Sequence, residues 1–372
     1  VTIAVGILFK APSGKILLCR RTDGEGWAFP GGVKKDHETV EQCAVREIWE
    51  ETKYRAGHHG KFLCRRVRND VDFTTFQYDC DDEFIPQFNH EHDAFVWVDP
   101  NHATSLDLHP GIMIALRKMK GMTELELAEA IRDGELVSPQ YIENVCLVDM
   151  RISGTGFSYR PKLDEWVYRR DTIYLTHEFL QRCSGIPIIM EHPSTQILNS
   201  DEFAQRIVGT MALPYIKEDE VWGIGRLYDS TAIKMVVEGE LSTSPSVVFR
   251  DPKVNYTIEM EDDSHLLVEG KPSFVDHLAI CQKGVWDKGG DASGIRIDSE
   301  ATGQPQEQAV TAKLDGSELP TPSLALPEGN KDPAPEMQGI PPDLFKLADG
   351  MTKLTERLDK FYAKRRSDLM VR

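Results

Sequence analysis

The apolar residues of the first 118 positions fall into short runs broken by turn residues, and only one acidic stretch among them has helical spacing. Residues 2–9 and 15–19 read as strands about a Pro12-Ser13-Gly14 turn. Further strand-like runs cover 61–67, 72–78 and 94–98, and a helix is predicted over 111–119. Between them Ala44, Val45 and Ile48 form an apolar arc that would seat a helix on a sheet. Glu47, Glu50 and Glu51 stand at i, i+3 and i+4 and share another face of that helix. Thr123 to Glu126 is a capping box, and Gly134 stops the helix it starts.

A second, strand-rich pattern follows, with runs at 166–168, 186–190, 208–211, 221–227 and 266–268. From about Asp287 the chain changes to a Pro-punctuated stretch with few large apolar residues, which cannot offset the entropy of ordering and reads as a disordered linker. Beyond it Leu344, Leu347, Met351, Leu354, Leu358 and Phe361 repeat with the spacing of a coiled-coil seam. The expected organisation is therefore a first domain at 1–120, a helical connector at 121–139, a second domain at 140–287, a linker at 288–340 and a helix at 341–366.

Composition narrows the function. A net charge of -17 over 372 residues argues against direct nucleic-acid binding and suits a protein that meets phosphates through cations. The 7 cysteines are odd in number and lack a CxxC pair, as expected of reduced thiols. No signal-peptide pattern precedes the first predicted strand, and no apolar run reaches the ~18 residues of a membrane span.

The most specific chemistry lies in residues 31–54. Gly32, Glu38, Arg46, Glu47, Glu50 and Glu51 follow the spacing G-x5-E-x7-R-E-U-x-E-E, where U is apolar Ile48. Three clustered carboxylates repel one another unless a divalent cation joins them, and Mg²⁺ favours such oxygen ligands. Gly31 and Gly32 let the backbone turn sharply and approach a ligand. The pattern resembles the Nudix box. The resemblance covers about a third of the chain and implies a Nudix sandwich of α/β (α+β) class. It also implies hydrolysis of nucleoside diphosphates linked to another moiety. Glu47, Glu50 and Glu51 would hold Mg²⁺ (or Mn²⁺), Glu50 and Glu51 with Arg46 would act in catalysis, and Gly31, Gly32 and Glu38 would contact substrate. Glu91 is an accessory acid or a plain surface carboxylate. The family usually carries glycine two residues after the last box glutamate, and this chain has Lys53; a left-handed cap there would cost a non-glycine residue roughly 1 kcal/mol.

Three segments of the second domain also go together: 187–193, ending in Glu191-His192-Pro193; 239–245, containing Ser242 and Ser244; and Asp276-His277-Leu278-Ala279. They resemble tailed-phage prohead proteases, whose fold is that of herpesvirus assembly proteases, a β-rich barrel-like domain. The resemblance implies His192 as base, Ser242 or Ser244 as nucleophile, and His277 (or Asp276) as the group orienting His192. With the linker and C-terminal helix it implies a phage head-morphogenesis protein in the host cytoplasm and prohead. Such a protein would have serine endopeptidase activity, capsid or scaffold partners, self-association through the C-terminal helix and no membrane contact. The alternative is a non-enzymatic capsid scaffold with degenerate Nudix and protease folds.

Overall fold

Both faces of the first strand are apolar, and both are covered. In the computed structural model strand β1 (Thr2–Lys10) is buried from Ala4 to Phe9. Val5, Ile7 and Phe9 pack on Cys43, Ala44 and Ile48 of helix α1 (Val40–Thr52), whereas Leu8 points into a different core. The structure describes residues 1–57, 59–161, 163–195, 197–260 and 264–298, all within one compact unit, Val1–Gln308. The predicted 341–366 helix and all but the first residues of the 288–340 linker lie outside the described residues.

Around β1 a mixed sheet is built from β2 (Ile16–Arg21), β3 (Trp27–Ala28), β4 (Gly31–Val33), β5 (Lys61–Arg68), β6 (Val71–Asp79) and β7 (His92–Val98). Its order is β3-β2-β1-β6-β5, with β4 on β1 and β7 on β2. β1 and β6 run parallel in register from Thr2↔Val71 to Lys10↔Asp79. Helix α2 (Met113–Lys120) packs against β5, α3 (Glu124–Arg132) packs against strands further along the chain, and Thr123 makes the predicted capping box. They do not form a loose connector. Leu116, Leu127 and Ile131 share one core with Leu8, Ile16 and Leu18 of the first sheet and with Val145, Leu147 and Ile224 further along the chain.

Those last residues belong to a second sheet. Its strands are β8 (Gln140–Ile142), β9 (Val145–Gly154), β12 (Pro187–Met190), β13 (Ile207–Lys217), β14 (Glu220–Leu227), β15 (Ser242–Val248), β18 (Phe274–Cys281) and β19 (Ile295–Arg296). The order is β15-β18-β12-β13-β14-β9-β19, with β8 on β9. The two ends of this order approach each other: Thr243 Oγ1 donates to Arg151 O at 2.5 Å. A small sheet of β10 (Gly156–Arg160), β11 (Glu165–Arg169), β16 (Tyr256–Glu259) and β17 (His265–Glu269) stands apart in the order β10-β11-β17-β16. Short helices α4 (Asp171–Tyr174), α5 (His177–Cys183), α6 (Ser200–Arg206) and α7 (Ser230–Glu238) fill the connections, and Tyr174, Phe179, Ala232 and Val236 close the second core.

Three readings are corrected. Val45 is 37% exposed and Cys43 takes its place in the buried arc of α1, because the sheet meets that helix one step round from the predicted face. The boundary at 287 falls within ordered chain: β19 pairs with β9, and Asp298 N donates to Ser138 O at 2.8 Å. β9, the most completely buried strand, is absent from the predicted set. None of the helices among the described residues is long and apolar enough to cross a membrane.

Candidate functional site

Helix α1 begins with a capping box between Thr39 and Gln42 and presents its acidic face to the β4 loop. Glu51 is fully buried and accepts from Gly31 N at 2.7 Å, so the glycine loop is tied to the last box glutamate. A Cβ at Gly32 would stand well inside contact distance of Glu47 Oε1; glycine lets these two groups coexist. Arg46 lies at the centre. It holds Glu38 through Nε (3.0 Å) and Nη2 (2.6 Å), and Nη1 donates to Glu47 (2.6 Å) and Glu50 (3.1 Å). Its charge holds the Glu38 carboxyl down at about 2, chiefly through that hydrogen-bonded pair.

Glu51 behaves in the opposite way. Burial, then the nearby charges of Glu47 and Glu91, outweigh the Gly31 hydrogen bond and push its carboxyl up to about 9. Glu91 is exposed at the turn before β7, and its charge is one of those that raise the Glu51 carboxyl. His92, the first residue of β7, is buried with Nδ1 4.0 Å from Glu51 Oε2, and burial lowers its pKa. No sequence motif marks His92; only its neighbour Glu91 drew attention. The α1 C-cap is Lys53 at φ 58, ψ 12, the left-handed conformation that glycine favours.

The oxygen donors here suit a hard divalent cation, and one buried carboxylate oxygen, Glu51 Oε1, has no hydrogen-bond partner. Among the described residues no three His, Cys, Asp or Glu side chains converge as a ready-made cage, because Arg46 engages Glu47 and Glu50.

In the second sheet β18 lies between β15 and β12. His277 on β18 is fully buried, with Nδ1 2.8 Å from Asp276 Oδ2 and Nε2 2.9 Å from His192 Nδ1. His192 comes near because Glu191, at φ 56, turns the chain just after β12. Burial lowers the pKa of His277 against the pull of Asp276. Both orienting groups named from the sequence thus stand in one chain, His277 between Asp276 and His192.

The serines separate. Ser242 is fully buried; its Oγ donates to Asp287 Oδ1 at 2.7 Å and accepts from Gly294 N at 3.1 Å. Its strand partner is Cys281, so the structure does not bring it to His192, and its reading as nucleophile is corrected. Ser244 pairs with Ala279 and is 8% exposed. Ser246, not singled out from the sequence, is the direct cross-strand partner of His277. Directly opposed side chains share a face with Cβ atoms about 5 Å apart. The period-2 spacing of Ser242, Ser244 and Ser246 put all three on one face, but only the β15–β18 register selects among them.

Residues 1–117 match the family model described as NUDIX domain. A Nudix domain therefore stands at the N-terminus of this chain. The chain is 30% identical over 132 residues to putative 8-oxo-dGTP diphosphatase 3 of Mycobacterium tuberculosis, covering 32% of this chain and 61% of that protein. It is 39% identical over 62 residues to an RNA pyrophosphohydrolase of Pseudomonas aeruginosa, covering 17% of this chain and 39% of that one. The chain thus spans about three fifths, 61%, of the first of these relatives. Among solved structures, a MutT protein from Methanosarcina mazei is similar at 21% identity and TM-score 0.29, covering 32% of this chain and 92% of that one. The NUDIX domain of Shewanella oneidensis NrtR, complexed with ADP ribose, is similar at 16% identity and TM-score 0.29, covering 32% of this chain and 85% of that one.

Proposed function

We propose that the N-terminal domain is a Mg²⁺- or Mn²⁺-dependent hydrolase of nucleotides that contain a diphosphate linkage. The observation that carries this reading is Glu51: a buried carboxyl with one oxygen unbonded, facing the Gly31-Gly32 loop beside Glu47. Glu47, Glu50 and Glu51 would hold the cation, which when bound polarises a phosphate and lowers the pKa of a water. Arg46 positions Glu47 and Glu50, and releases one or both as ligands when a cation competes for them. Gly31, Gly32 and Glu38 shape the loop over which the phosphates would lie. An oxidised nucleoside triphosphate and a 5′-phosphorylated RNA end, the substrates implied by the names of the relatives, are the first compounds to assay. The test is a panel of such compounds with Mg²⁺ and Mn²⁺. Turnover that disappears in Glu50→Gln and Glu51→Gln supports the reading, and absence of turnover across the panel removes it.

A second reading has its own support in the Asp276–His277–His192 chain: a serine endopeptidase of phage head assembly. With Asp276 ionised, the chain runs one way. His277 Nδ1–H donates to Asp276, His192 Nδ1–H donates to His277 Nε2, and His192 Nε2 keeps its lone pair. His192 can then take the proton of Ser246 as Oγ attacks a peptide carbonyl, and return it to the leaving amine as the C–N bond breaks; water next hydrolyses the ester. Capsid or scaffold partners and self-association through 341–366 belong to this proposal. Mass spectrometry of the protein from its native source would reveal processing C-terminal to the described fold. An intact chain, with neither activity in vitro, would leave the non-enzymatic scaffold.

A further inference from the structure

Two buried polar atoms near the box lack a hydrogen-bond partner among the described residues, and they sit on neighbouring side chains. Glu51 Oε1 is one and His92 Nδ1 is the other. The side chains are 1% and 3% exposed, and Nδ1 lies 4.0 Å from Glu51 Oε2. A buried polar atom without a partner is costly, so two of them on adjoining side chains point to something that bonds both residues. The site is held from outside. Thr22 N donates to Glu91 O at 2.9 Å, Thr22 Oγ1 to His90 O at 3.0 Å, and the Phe88 ring lies 5.8 Å from that of His92. Arg46 meanwhile occupies Glu47 and Glu50, so Glu51 is the box carboxylate with a buried oxygen left open.

We propose that His92 Nδ1 is a nitrogen ligand of the cation held by Glu51, and that it makes this site select a transition-series divalent ion over Mg²⁺. The proposal rests on the metal-dependent reading given above and adds a ligand and a selectivity to it. Two donors on one such ion, each at roughly 2.1 Å, can stand at most about 4.2 Å apart. The observed 4.0 Å lies inside that limit, so a small swing of either side chain closes the pair on one ion. A neutral imidazole nitrogen discriminates: it is a good ligand for Mn²⁺ to Zn²⁺ and a poor one for Mg²⁺, which keeps to oxygen. Glu91, exposed at the turn before β7, is a further carboxylate whose charge bears on Glu51.

The experiment uses the full, untagged chain without substrate, loaded with Mn²⁺ and read by electron spin echo envelope modulation, which detects nitrogen bonded to the ion. The expected result is a directly coordinated nitrogen in the wild type that vanishes in His92→Phe and His92→Gln. Mn²⁺ affinity should fall about tenfold or more in both variants, while Mg²⁺ affinity is unchanged. Bound Mn²⁺ with no nitrogen signal in the wild type overturns the proposal and leaves the metal-dependent reading standing. A nitrogen signal that survives in the variants also overturns it. No Mn²⁺ binding to Glu51 at all, tested by comparison with Glu51→Gln, would overturn both together. The wild-type spectrum decides the ligand question even if neither variant folds.

Discussion

His277 hands its Nε2 to His192 Nδ1 at 2.9 Å and stands directly across the strand pair from Ser246. His277 thus meets an imidazole on one side and a serine strand partner on the other, and this register separates the serines. Ser246→Ala should abolish any self-cleavage while the chain still folds, as checked by circular dichroism. Ser242→Ala should keep cleavage but cost about 1–2 kcal/mol, because it strips a buried hydrogen bond from Asp287 and leaves Gly294 N unpaired. Incubation followed by mass spectrometry, with urea melts alongside, reads both; cleavage lost only in Ser242→Ala would reverse the assignment.

Lys53 holds a left-handed conformation that suits glycine. Lys53→Gly should raise stability by about 0.5–1 kcal/mol, less the small contribution of the lysine over the Trp49 ring, 5.4 Å away. Urea midpoints compare the two chains, and a loss of stability in the glycine variant would contradict the cap analysis.

The Arg46–Glu38 pair predicts an acid limb. The folded carboxyl titrates at about 2 against an ordinary 4.5, so the folded state binds fewer protons across that window. Its stabilising effect is full above the higher value and is lost as the pH falls through the lower one. Arg46→Met should therefore flatten the fall in stability over this range relative to wild type. Denaturant midpoints at closely spaced pH values show whether the two curves converge in acid.

Gly32→Ala should leave a folded protein with little hydrolase activity. The added methyl displaces Glu47, and a ligand moved by about an ångström costs on the order of 100-fold in rate. Steady-state rates with circular dichroism as a fold control test this; full activity would mean that Glu47 is dispensable.

Asp287, itself buried, accepts from the buried Arg151 and Ser242 and from Ser293 and Gly284 N. Asp287→Ala should destabilise the chain by roughly 3 kcal/mol, since it leaves a buried guanidinium with Glu220 alone as its carboxylate partner. A thermal melt within a degree of wild type would show that the network is redundant.

The sequence made the first site legible because its chemistry is local. Glu47, Glu50 and Glu51 lie within two helical turns, Arg46 is next to them, and Lys53 stands where the cap must fall. β9 stayed hidden for the converse reason. Asp149, Arg151 and Ser153 break its apolar run, and they are tolerated only because Arg296, Asp287 and Arg169 meet them from far along the chain. Ser246 and His92 were illegible in the same way: one is chosen by the register of two strands, the other by burial of its imidazole against Glu51. Pattern reveals residues that act with their neighbours, and it is silent about those that act across the fold.

Leu8 and Ile16 of the first sheet, Leu127 and Ile131 of α3, and Leu147 and Ile224 of the second sheet belong to one core. Dissection at the apparent seam near residue 120 would therefore wound both halves. A fragment ending there would lose the α3 and second-sheet members of this core, uncover apolar surface and be prone to clump. A piece that keeps this shared core runs at least to 298, and any ligand that binds the first site should raise the melting temperature of both sheets together.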